Sequence, residues 1–186
     1  EYVGINPHIE YFINRHSTQN WIIEEATTDF YDITYIFQGR AYYCINGTVY
    51  EANQGDLLCI PKGCRRSATT DSANLMISYA LNIQLYDREG KDVNLPFPFL
   101  SHIGDPEELH SLYNELAFEW LKKNKGYELK ARALLLMILH YYFKALYYKD
   151  NNVNIDKRIQ RSIKYILSNL QNHIEVEELA SIAGLT

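Results

Sequence analysis

A chain of 186 residues with 47% apolar and 22% charged side chains has room for one good-sized packed domain and a small appendage. Its net charge of −5 excludes the chain-wide basic footprint of a free-standing nucleic-acid binder, so any DNA contact must be local. No apolar run reaches the ~18 residues of a membrane helix, no signal peptide is recognisable, and Cys44, Cys59 and Cys64 have neither metal nor disulfide spacing, as expected of reduced thiols in the cytoplasm.

Residues 1–15 are compatible with an extended arm or with a plain first strand. From there the first half reads as β. Strands are predicted over 32–37, 41–45, 48–52, 57–60 and 75–85, from β-branched and aromatic runs. Asn46-Gly47 between two of them is a strong hairpin signal. Gln54-Gly55-Asp56 and Pro61-Lys62-Gly63 mark further turns. Short strands at this spacing suggest a sandwich or barrel.

The pattern changes after Pro96-Phe97-Pro98. Asp105-Pro106-Glu107-Glu108 reads as a helix start, with Asp105 as N-cap and Pro106 in the first turn. That helix is predicted to reach about 124, with Leu109, Leu112, Leu116 and Trp120 on one face. A second helix is predicted over 128–148. Its Leu134, Leu135, Ile138, Leu139, Tyr142 and Leu146 fill two adjacent stripes, more than one amphipathic face needs. Residues 149–154 read as a polar linker. Helices over 156–172 and 176–183 follow.

The segment Gly55, Pro61, Gly63, Arg66 resembles the second cupin motif, G-x5-P-x-G-x2-H, with Arg66 in the place of the histidine. Asp32 and Gly39 resemble the end of the first motif, H-x-H-x3,4-E-x6-G. Metal cupins bind iron, manganese or zinc through the histidines and glutamate of these motifs. Here the H-x-H place holds Glu25-Ala26-Thr27-Thr28, the glutamate is Asp32, and the last histidine is Arg66, which has no lone pair to give a metal. The six histidines, His8, His16, His102, His110, His140 and His173, are scattered without ligand spacing. No metal and no other cofactor is expected.

Towards the end, Leu179-Ala180, Gly184-Leu185-Thr186 and the preceding helix resemble the opening of the DNA-binding domain of AraC/XylS-family transcription regulators. Ala180 stands where two helices would cross closely, Gly184 where the turn of a helix-turn-helix falls, and Thr186 where the recognition helix would be capped. The combined resemblance implies an α+β chain: a cupin-like β-barrel (jelly roll) over 1–100, a helical dimerisation segment over 101–149, and a linker with a truncated helix-turn-helix over 150–186. It also implies a cytoplasmic activator that senses a small effector, either sugar-like or an anionic metabolite. In such a family the N-terminal arm can fold over the ligand.

In that barrel the ligand is expected among inward side chains. If Asp32 points inward, the two-residue period adds Thr34, Ile36 and Gln38. Arg66 replaces an inward histidine and is expected either to pair with Asp32 or to bind the ligand. Trp21, Tyr43 and Tyr79 are candidate walls, although buried aromatics more often belong to a core. Leu134, Leu135, Ile138, Leu139, Tyr142 and Leu146 are expected to form a homodimer contact, unless both stripes are buried within one subunit. Lys157, Arg158, Arg161 and Lys164 are candidates for phosphate contacts in an intact protein, or for a solvated face. The alternative function is a metal-free cupin sugar isomerase or epimerase. That chemistry needs an acid and a base, and Asp32 is the sole inward carboxylate expected. A third reading is a closed barrel that serves interaction alone.

Overall fold

The computed structural model describes residues 4–148 and 157–184. The chain divides into two compact units, Glu1–Leu146 and Tyr147–Thr186. The linker at 149–156 and Thr186, expected as the cap of a recognition helix, lie outside the described residues, as does the start of the arm at 1–3.

The first unit is built on two antiparallel sheets. One has the order β1(Asn6–His16), β8(Ile77–Tyr86), β3(Tyr31–Gln38), β6(Asp56–Ile60), β9(Leu100–His102). The other has the order β2(Ile22–Thr27), β7(Arg65–Thr70), β4(Arg40–Ile45), β5(Thr48–Asn53). This arrangement is a jelly roll of the cupin kind, in which strands alternate between two facing sheets. The hairpin at Asn46-Gly47 has φ of 49° and 83°, the doubly positive pair that joins two twisted strands tightly. Gly39 has φ 78°, and a Cβ there would stand 2.1 Å from the Leu75 carbonyl oxygen, so only glycine fits.

Two apolar cores result. Ile36, Tyr43, Ile45, Leu58, Ile60, Ala68 and Met76 pack between the sheets. The larger core lies on the other face of the five-stranded sheet. There Tyr31, Ile33, Tyr35, Leu57, Tyr79, Leu81 and Ile83 meet the helices α1(Glu107–Lys122) and α2(Tyr127–Tyr147). The five-stranded sheet is therefore covered on both faces, whereas β4 alternates buried and half-exposed residues, as a strand with one wet face does.

The start of α1 differs from expectation. Pro106 is the N-cap residue and no side chain caps the helix. The Asp105 carboxylate instead accepts a hydrogen bond from the Tyr35 hydroxyl at 3.1 Å and pairs with His110 Nε2 at 2.6 Å, tying helix to sheet. Lys123, in the left-handed conformation at φ 48°, ends the helix by donating its N–H to the Glu119 carbonyl.

Both expected stripes of α2 are used inside the unit. Leu134, Leu135, Ile138, Leu139 and Tyr142 are buried, and Leu146 is packed against the same core. They are not an exposed interface, because sheet and α1 together cover a face wider than one stripe. The exposed large apolar residues of α2 are Leu129, Leu136, Met137 and Tyr147 at its end. Tyr142 and Tyr113 share a buried hydroxyl–hydroxyl bond, which lets two polar tips sit in the core.

The second unit pairs α3(Lys157–Ser168) with α4(Val176–Ala183). The Ser162 hydroxyl donates to the Arg158 and Leu179 carbonyls, and the Tyr165 hydroxyl donates to Glu178. Asn169 turns its amide back to the Tyr165 carbonyl at 2.9 Å, and α3 stops short of the expected 172. Gly184 closes α4 at φ 67°. No helix among the described residues is long and apolar enough to cross a membrane.

Candidate functional site

Cross-strand pairing fixes which side chains look into the barrel. Asp32, Thr34 and Ile36 of β3 stand opposite Asn82, Ala80 and Ser78 of β8. From the facing sheet, Tyr43 and Ile45 of β4 stand opposite Ala68 and Arg66 of β7. Ile36, Tyr43, Ile45 and Ala68 belong to the inter-sheet core, so the whole set faces inward.

At its centre is an ion pair. Arg66 Nε lies 2.7 Å from Asp32 Oδ2, and the two side chains are only 11% and 4% exposed. The contact is close but not aligned along the N–H direction, since that nitrogen makes no well-formed hydrogen bond. Thr34 Oγ1 donates to Asp32 Oδ1 at 3.0 Å. The Arg66 guanidinium also lies 5.5 Å from the centre of the Phe30 ring. Burial pushes the Asp32 carboxyl up, while Arg66, the Thr34 hydroxyl and the more distant Arg15 pull it down. Burial and the Asp32 charge likewise raise the Tyr43 phenol. Ser78 Oγ is wholly buried and has no partner among the described residues. The interior therefore offers the Arg66 guanidinium, the Asp32 carboxylate, the Thr34, Thr70 and Ser78 hydroxyls, the Asn82 amide and the Tyr43 phenol among apolar side chains. Such a set can bind a polar or anionic molecule.

The expected site is brought together only in part. Asp32, Thr34, Ile36, Tyr43 and Arg66 share the interior. Trp21 is partly buried against the inter-sheet core, with the Arg15 guanidinium 5.3 Å from the centre of its ring. Gln38 does not join them. The register shifts between Ile36 and Gln38, and this bulge turns Gln38 to the opposite face with Ile77, where it is exposed. Tyr79 also faces away from the interior. It stacks on Tyr113 at 4.5 Å and donates to Asn114 at 2.8 Å, within the layer between sheet and helices. Ser78, which sequence reasoning missed, is found once the phase of β8 is known: its neighbours Tyr79, Leu81 and Ile83 take the apolar face and leave the small residues inside.

The metal ligand set of the cupins does not fit here. A guanidinium occupies one ligand place and pairs with the residue in another, while Ala26 at a third has no donor atom. Among the described residues no group of three or more His, Cys, Asp or Glu is arranged to hold a metal ion. On α3, Arg158, Arg161 and Lys164 are exposed, and Lys157 opens the helix.

A ligand-binding jelly roll with a helical layer on one sheet is the class that these features define. The family model for the AraC-like ligand binding domain matches residues 6–139, and the chain belongs to that family. No curated protein matches it. Solved structures similar to it include Bacillus subtilis oxalate decarboxylase, with TM-score 0.37 and 13% identity over 50% of this chain and 40% of that one. Vicilin from tomato gives 0.35 and 15%, over 41% and 25% of the two chains. The cupin domain of Schizosaccharomyces pombe Cnp3 gives 0.33 and 12%, over 37% and 50%. The chain thus spans two fifths or less of the first two of these proteins, and likenesses this weak carry no functional weight.

Proposed function

We propose that this chain is the effector-sensing and dimerisation region of an AraC-type transcription regulator, and that it works as a binding module and not as an enzyme. The observation that carries the proposal is the buried Arg66–Asp32 pair inside a barrel of the AraC-like ligand binding family. An effector with a carboxylate, phosphate or several hydroxyls would draw Arg66 away from Asp32 and satisfy the idle Ser78 hydroxyl, a charge-assisted exchange inside a low-dielectric box. The isomerase alternative is disfavoured because the one inward carboxylate is already held by a guanidinium and has no partner acid.

The helix pair α3–α4 supports the DNA-binding part of the proposal. Ile159, Ile163 and Leu167 form an exposed apolar line at helical spacing, suited to cover by further helices of a DNA-binding domain, while Arg161 and Lys164 lie off that line. Base readout would belong to a recognition helix. Dimerisation, if mediated by α2, would use Leu129, Leu136 and Met137, since the residues first expected there are buried. The function as a whole is tested by thermal-shift screening with a sugar and metabolite library. Hits are expected with the wild-type protein and are expected to be lost in Arg66→Ala. Hits of undiminished strength in both Arg66→Ala and Asp32→Asn would refute an effector site in the barrel.

A further inference from the structure

A recess lies outside the barrel, where the start of β1 crosses the corner between α1 and α2. Its volume is about 370 Å³, the size of many small-molecule sites. Ala131 is buried at its floor. Trp120 and Tyr127 form an aromatic wall, with rings 5.9 Å apart and edge to face. Lys123 Nζ lies 5.7 Å from the Trp120 ring centre, and the left-handed turn at Lys123 fixes the base of that side chain.

The polar lining carries two carboxylates, Glu10 and Glu128, and two cations, Lys123 and Arg132. The Glu10 carboxylate already accepts from the Gln84 amide at 2.9 Å, and Glu128 accepts from the Tyr127 hydroxyl at 3.3 Å. Neither Lys123 nor Arg132, which line the same recess, is within ion-pair distance of a carboxylate among the described residues, so both are open to an anion whose apolar body rests on the indole and phenol rings.

We infer that this recess binds a small organic carboxylate, its charge on Lys123 and Arg132 and its apolar body against Trp120. The site is separate from the barrel and stands whether or not the barrel binds an effector. β1 is an edge strand, paired with β8 alone. A molecule bridging β1 to the α1–α2 corner would fasten that strand to the helical layer.

Trp120 supplies the assay, because the chain has two tryptophans and Trp21→Phe leaves it as the sole reporter. In that background phenylbutyrate and hexanoate are titrated against tryptophan emission, with phenylbutyramide as the uncharged control. Saturable changes are expected with the two carboxylates and none with the amide. Arg132→Gln together with Lys123→Gln is expected to weaken binding about tenfold or more. Both side chains are exposed, and far-ultraviolet circular dichroism verifies that the variants fold. No saturable response to either carboxylate, an equal response to the amide, or unchanged affinity in the double variant would overturn the assignment. Binding lost in Arg66→Met but kept in the Lys123/Arg132 variant would put the molecule in the barrel and would also overturn it.

Discussion

Replacing Arg66 by Ala leaves Asp32 buried without its counter-charge, and the cost follows from the geometry. Breaking a buried ion pair by deleting one partner typically costs about 3–5 kcal/mol. The lower end, about 3 kcal/mol, applies here because Thr34 still donates to Asp32 and the carboxyl can escape by taking a proton. For a chain of this size the melting temperature falls by about 2–4 °C per kcal/mol, so a drop of about 6–12 °C is expected near neutral pH. Burial already holds the Asp32 carboxyl up, with Arg66 the strongest group pulling it down, so removing Arg66 raises it further. The native variant then keeps a proton at a pH where the unfolded chain, titrating near the ordinary ~3.9, has lost it. Stability of the variant therefore falls as pH rises above the unfolded carboxyl's range, and its deficit against wild type shrinks as the pH is lowered towards that range. Thermal and urea denaturation followed by circular dichroism at neutral pH and on stepwise acidification measure this. A loss below about 1 kcal/mol near neutrality, the range of exposed pairs, or a deficit that does not shrink on acidification, would refute it. The paired replacement Asp32→Leu with Arg66→Met is expected to restore stability to within about 1 kcal/mol of wild type.

Other positions give simpler outcomes. Gly39→Ala combines a left-handed backbone with a Cβ 2.1 Å from a carbonyl oxygen; a loss of about 3 kcal/mol or more is expected, and a near-neutral urea midpoint would contradict the turn geometry. Tyr113→Phe strands the Tyr142 hydroxyl in the core and should cost about 1–3 kcal/mol, whereas adding Tyr142→Phe should recover part of the loss; additive costs in chemical denaturation would disprove the shared bond. Leu135→Glu should prevent folding, since a wholly buried position cannot take an unpaired charge. Met137→Glu, at 53% exposure, should leave stability within about 0.5 kcal/mol while shifting sedimentation equilibrium towards monomer if α2 dimerises; a dimer unchanged by Met137→Glu together with Leu136→Glu would put the interface elsewhere.

Turns and regular helices were legible in the residues, and strands only where their side chains were large. The Asn46-Gly47 hairpin and both ends of α4 follow from local chemistry alone. By contrast β7, with the sequence RRSATT, presents Arg66, Ala68 and Thr70 inward and no bulky residue, so no periodicity announces it. β2 is mostly exposed and carries two consecutive glutamates, which hide an edge strand equally well. The interior triad of Asp32, Thr34 and Arg66 was legible from the cupin spacing. Gln38 was not, because a bulge one residue upstream reverses its direction and leaves no mark in composition. Tyr79, readable from sequence as a wall or as a core aromatic, is core for a different reason. A strand buried on both faces has two candidate insides, and its large residues went to the helical layer and not to the barrel.

The doubly covered sheet serves two interiors at once, one on each face. Its outer face, with Ile33, Tyr35, Tyr79, Leu81 and Ile83, is locked to two helices, while alternate positions on the very same strands, Asp32, Thr34, Ser78 and Ala80, turn to the interior. A change of side chain at one of the inner positions leaves its immediate neighbours in the outer core untouched. Alternate letters of the same strands thus serve two different interiors, so the polar inner positions can change while the side chains packed on the helical layer stay as they are.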